Sequence, residues 1–200
     1  MILEARYNLV AIPASNQQYE LYFNSKANDK GVLHRLAAVL YVNNWNIISA
    51  KATKLHDSAI EDIIVIESLS GKKFDKKMKT RISQGLDWLL DREISINDFL
   101  QNFPEKTRIR NANEGYSTDI KIRKDIHEGQ LSIEIQTHDR PGLLMDITKV
   151  FDLLSIDIIE FEANVFENKV RDFFQVAGEG GRVLDERTIE WMREMLMKNI

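Results

Sequence analysis

The chain has no cysteine in its 200 residues. That excludes disulfides, thiol nucleophiles and thiolate metal sites, and it fits a reducing compartment, so a cytoplasmic location is the expectation. Long apolar runs are missing too, since nothing approaches the roughly 20 residues that span a bilayer. The opening MILEARYNLVAIPASNQQYE lacks the apolar core and cleavage site of a secretion signal. No membrane role is expected. Basic charge is not in excess either: a net charge of -4 and a pI near 5.7 argue against broad binding to nucleic acid.

The signatures of catalysis are also wanting. There is no P-loop, no G-x-G-x-x-G after a strand, no G-x-S-x-G elbow, and no Gly-Ser followed by Asp-x-Asp for nucleotidyl transfer. The pairs His56-Asp57 and His138-Asp139 invite a metal-phosphohydrolase reading. That chemistry needs several converging His and Asp ligands, and only His34 and His127 remain. Gly178-Glu179-Gly180-Gly181 suggests a phosphate cradle, but the segment it repeats, Ser68-Leu69-Ser70-Gly71, does not. The chain reads as a non-enzyme with no cofactor, no metal and no catalytic residue.

What the sequence does hold is a repeat. The stretch NDKGVLHRLAAVLYVNNWNIISAKATKLHD, from Asn28, aligns with HDRPGLLMDITKVFDLLSIDIIEFEANVFE, from His138. Gly31 meets Gly142, Leu33 meets Leu144, Val39 meets Val150, Asn46 meets Asp157 and Ala52 meets Ala163. Further on Asp62 meets Asp172, Gly71 meets Gly181 and Asp75 meets Asp185. Two one-residue gaps suffice over the whole length.

Each copy predicts the same element order. Leu131, Ile133, Ile135 and Thr137 alternate with polar residues as in a half-buried strand, and Leu143, Ile147, Val150, Phe151 and Leu154 fall at helical spacing. Asp139 is available as an N-terminal cap of that helix, with Pro141 in its first turn. A hairpin turning at Glu167-Asn168-Lys169 and a last amphipathic helix follow. The first copy gives a strand over about 19–26, a helix over 31–43, a hairpin over 46–67 and a helix over 74–90. An added strand precedes each copy, in ARYNLVAI and STDIKIRKDI. The expected organisation is a first domain at 1–93, a linker at 94–116 in which DFLQNF can extend a helix, and a second domain at 117–200.

With a strand, D-R-P-G-L, a helix, a second strand, R-D-F-F-Q-V and a G-x-x-x-D start to the final helix, the chain resembles the ACT domain family of small-molecule-binding regulatory modules. The tandem arrangement, with "DRPGLL...DI...RDFFQV...GG.VLD" in the second copy, is similar to the regulatory region of the uridylyltransferase/uridylyl-removing enzymes that act on PII nitrogen-signalling proteins. The resemblance implies an α+β fold: two ferredoxin-like β-α-β-β-α-β domains, each an antiparallel sheet with helices on one face and an extra preceding strand. It also implies an amino-acid ligand, with glutamine favoured, a regulated enzyme or other protein partner, and a homodimer as one assembly. Met1 favours an independent product over the regulatory end of a longer enzyme.

The D-R-P-G turn has a physical reading of its own. An amino-acid zwitterion leaving water needs both charges met, because an unpaired buried charge costs several kcal/mol. A helix N-terminus offers N–H groups and a positive dipole end to the carboxylate. Arg140 can add charge to that, Asp139 can take the ammonium, Gly142 lets the ligand approach the backbone, and Pro141 holds the turn ahead of Leu143. The counterpart in the first copy is Asn28, Asp29, Lys30, Gly31 and Val32, which lacks the proline. The resemblance adds a polar residue at the start of the following strand, often on a neighbouring domain: Asn46 and Asp157. Each residue has a plainer alternative. Asp139 can be only a cap, Arg140 a solvated charge, Gly142 a packing requirement, and Asn46 and Asp157 turn ends. Asp62 and Asp172 can pair with a neighbouring Lys or Arg. Two functions stay open, an amino-acid sensor and an assembly scaffold without a ligand.

Overall fold

The computed structural model describes residues 7–25, 31–54, 60–91, 93–108, 117–124 and 129–200. Period-two alternation builds its strands. In β1 (Tyr7–Pro13) and β2 (Gln18–Ser25), Leu9, Tyr19, Leu21 and Phe23 turn inward and the residues between them outward. Helix α1 (Val32–Val42), the hairpin β3 (Trp45–Lys54) and β4 (Ile60–Ser68), and α2 (Lys76–Leu90) complete the first copy. The second repeats it as β5 (Asp119–Lys124), β6 (Leu131–His138), α5 (Leu143–Leu153), β7 (Ile156–Phe166), β8 (Lys169–Gly178) and α6 (Glu186–Asn199). Between them lie two short helices, α3 (Ile96–Gln101) and α4 (Pro104–Arg108).

All eight strands form one antiparallel sheet in the order β1-β2-β4-β3-β7-β8-β6-β5. This is the α+β, ferredoxin-like class, twice over, with helices packed on one face. The strand preceding each copy, β1 or β5, takes the outer edge beside β2 or β6. In β-α-β-β-α-β order that edge belongs to a strand after the last helix; among the described residues no strand follows α2 or α6. Each copy therefore holds four described strands, the preceding one standing in for the terminal one. Lys121, Arg123 and Lys124 on β5 discourage further pairing at that edge.

The cores form where helices meet strands. Leu21, Ile64 and Ile66 face Leu36, Leu40, Ile82 and Leu86, while Ile133, Phe161 and Phe174 face Ile147, Phe151, Met192 and Leu196, all buried. The rings of Phe161 and Phe174 stack with centroids 4.7 Å apart, and Phe151 meets Phe174 edge-on at 5.1 Å. Burial of each large side chain contributes about 1.5–3 kcal/mol.

The copies join along β3 and β7, with Ala50 opposite Ala163, Lys51 opposite Glu162 and Ala52 opposite Phe161. Lys51 and Glu162 are equivalent residues of the repeat, so a pseudo-twofold axis passes through that pair. Helix α1 packs against α5 across the same axis. Both joining strands carry a register shift at equivalent places, between Ile47 and Ser49 and between Ile158 and Glu160. Residues 94–108 of the segment expected as a linker pack through Phe99 and Leu100, which are buried, and DFLQ of DFLQNF lies in α3, a helix of its own. Pro104, as the first residue of α4, gives up no helical bond.

Candidate functional site

The D-R-P-G turn is built differently from the expectation in one respect. The N-cap of α5 is Gly142, at φ 83°, and no side chain caps the helix. Asp139 is therefore not the cap and Pro141 precedes the helix rather than lying in its first turn. The reason is steric: the left-handed conformation at Gly142 bends the chain into the helix directly. Asp139 instead receives a hydrogen bond from Asn46, whose Nδ2 donates to Oδ2 at 3.1 Å, and its own amide donates to the Asn168 carbonyl at 2.8 Å. Thus the start of β3 in the first copy reaches the turn of the second. Asn44, at φ 64°, provides the tight exit from α1 that aims Asn46.

Around this contact lies a cavity of about 30 Å³, lined by Asp139, Arg140, Gly142 and Leu143 from the turn, Tyr41 and Asn46 from the first copy, and Asp172 from β8. That volume holds about one water. Tyr41 narrows it, its ring lying where a Cβ on Gly142 would come within 3.0 Å. The Tyr41 hydroxyl donates to the Lys106 carbonyl at 2.8 Å, and Lys106 Nζ donates to Asn44 Oδ1 at 2.5 Å, so α4 anchors the ring that covers the turn.

Arg140 is neither solvated nor turned to the cavity alone. It pairs with the buried Asp146 at 2.8 Å and donates to the Asn199 carbonyl at 2.9 Å. Its charge is thereby largely neutralised before any ligand arrives. Asp172 is 2% exposed, and its Oδ1 has no hydrogen-bond partner among the described residues. Among the described residues no Lys or Arg pairs with Asp172 or Asp62, because both point with the apolar residues of their strands into the core. Burial pushes the Asp172 carboxyl well above the usual carboxylate range, and the Asp139 charge adds to this. Burial also raises Asp139, opposed by the Asn46 hydrogen bond. Asp172 was missed as a site residue, yet the signal was present: it falls in phase with Val170, Phe174 and Val176.

The pseudo-symmetric site is not a copy of this one. Asn28, Asp29 and Lys30 lie outside the described residues. Gly31, at φ 67°, caps α1 as Gly142 caps α5, with Val32 buried behind it, and a Cβ there would meet the Asp152 carboxylate and the Arg35 guanidinium. Asp157, the counterpart of Asn46, accepts from the Gly180 amide at 3.1 Å and so holds its own turn. Asp62 is buried like Asp172, and burial alone carries its pKa to about 8. Among the described residues, no three His, Asp or Glu side chains gather as metal ligands, and no helix is long and apolar enough to cross a membrane. His138 flanks the turn, its Nδ1 3.3 Å from the Asp139 carbonyl.

No family model matches the chain. It is 23% identical over 175 residues to a bifunctional uridylyltransferase/uridylyl-removing enzyme of Haemophilus influenzae, covering 84% of this chain and 19% of that protein. With the corresponding enzyme of Cereibacter sphaeroides it shares 25% identity over 161 residues, 80% of this chain and 17% of the relative. An ACT domain-containing protein of Arabidopsis thaliana, ACR5, is 33% identical over 79 residues, 40% of this chain and 17% of its own length. The chain thus spans about a fifth of the curated relatives it matches. Among solved structures, an aspartate kinase from Synechocystis aligns at a TM-score of 0.47 and 12% identity, covering 91% of this chain and 26% of that one. The resemblance drawn from the residues holds: the chain is similar to the ACT-type region of uridylyltransferases.

Proposed function

We propose that the chain is a non-catalytic regulatory module that binds a small α-amino acid, glutamine favoured, at the turn between β6 and α5, and signals to a partner or attached enzyme of nitrogen or amino-acid metabolism. The observation that carries this reading is the Asn46 to Asp139 hydrogen bond. It joins one copy to the ligand turn of the other over a cavity that also holds Asp172. A ligand seated there, once Tyr41 moves aside to enlarge the one-water cavity, contacts both copies at once, which lets binding change how they sit together; couplings of this kind are typically worth about 1–3 kcal/mol. Asp139 and Asn46 serve the ammonium, and the start of α5 serves the carboxylate. Glutamine is the first ligand to try, as the resemblance drawn from the residues implies. The second copy is the stronger site, since Asp157 is already engaged by Gly180.

The small cavity favours a second reading, a scaffold without a ligand, in which Tyr41 fills the space for good. Calorimetry with glutamine and a panel of other amino acids separates the two. Saturable binding that is lost in Asp139→Ala and in Gly142→Val supports the sensor. No heat from any member of the panel leaves the scaffold.

A further inference from the structure

The cavity at the turn has two acids, and the reading above uses one of them. Asp172 reaches it from β8, the strand paired with both β6 and β7, and its nearest cross-strand neighbours are Ile135 and Ala163. Neither carries a charge. Helix α5 brings Leu143, Leu144 and Met145 to the cavity, and the first copy brings Ala37, Tyr41, Trp45, Asn46 and Ile47. The charged groups that line it with Asp172 are Asp139 and Arg140; Arg140 is held by Asp146, and His138 acts on Asp139 from the flank of the turn. Asp172 is deeply buried with one oxygen unpartnered among the described residues, as its counterpart Asp62 is with both, and what sets Asp172 apart is its place beside Asp139 on the cavity wall.

We infer that Asp172 is the specificity-determining acid of the site, receiving the ligand's ammonium together with Asp139, so that the site selects amine-bearing zwitterions over carboxylic acids of the same length. This rests on the sensor reading. With both acids on one cavity wall, a primary ammonium between them can donate to Asp139, to Asp172 and to the side-chain oxygen of Asn46 at once. Burial, and after it the Asp139 charge, strengthens the hold of the Asp172 carboxyl on its proton. When the ammonium seats, Asp172 loses its proton to solvent and becomes the counter-ion, so binding releases a proton and tightens as pH rises.

The test is calorimetry of the whole chain with L-glutamine and with glutaramic acid, its analogue without the amine, in buffers of different ionisation enthalpy. In the wild type, glutamine binds with release of up to one proton and glutaramic acid binds far more weakly. Asp172→Asn, which keeps the shape of the side chain, weakens glutamine roughly 10- to 100-fold, abolishes the proton release and leaves glutaramic acid unchanged. A merely structural role would weaken both ligands alike. If Asp172→Asn binds glutamine as the wild type does, with the same proton count, the inference is overturned while the sensor reading stands. If the wild type binds no amino acid of the panel, the sensor reading falls and this assignment with it.

Discussion

Asp62 lies in β4 in phase with Ile64 and Ile66, and its side chain goes into the core with theirs. Its folded pKa of about 8 stands above the ordinary 3.8, so the folded protein holds a proton that the unfolded chain gives up. The sign follows: this stabilisation is full below about 3.8 and is lost as pH rises through about 8. Urea unfolding across that window is expected to show stability declining with pH, and Asp62→Asn to flatten the decline. An unchanged slope in the variant would remove Asp62 as its source. Tyr41 offers a second residue-scale prediction. Tyr41→Phe deletes the hydrogen bond to the Lys106 carbonyl while keeping the ring, and is expected to cost about 1 kcal/mol in denaturant unfolding.

The helices show which signals in a sequence suffice. Asp75 and Asp185 occupy matching positions of the repeat and both cap, accepting from the Met78 amide at 2.8 Å and the Thr188 amide at 2.7 Å. Asp75→Ala and Asp185→Ala are each expected to lower stability by about 1 kcal/mol, read by thermal or chemical unfolding. Asp139 carried the same residue type in an apparently similar place, and there the inference failed. Asp75 and Asp185 are themselves extended and can cap, whereas a glycine in the left-handed region starts α5 and leaves Asp139 outside the helix. The strands were legible throughout from Leu131, Ile133 and Ile135 and their counterparts, because period two leaves little choice. The role of Asp172 was legible in the same pattern, but only once an acid in an inward position was treated as informative.

Pairing between the copies was beyond the reach of the pattern. Nothing in β3 distinguishes an open edge from one covered by β7, since the alternation of Ser49, Ala50 and Lys51 serves either. The convergence of Asn46 on Asp139 depends on that pairing; the pattern alone offers two loops and two polar residues, and the partnership was legible only through the resemblance, which sets the polar residue on a neighbouring domain. Because one sheet runs through both copies and α1 packs on α5, the two are expected to unfold together. Fluorescence and circular dichroism should trace a single coincident transition. Two separated transitions would show that the shared sheet couples them weakly.

Lys51 and Glu162 give this joint a pairing that two identical chains could not make at such an axis. If identical subunits met at such an axis, each would confront its own twin there, cation against cation or anion against anion, and repulsion would work against the union. Within one polypeptide the halves can differ, so that attraction can replace repulsion at the point of closest symmetry.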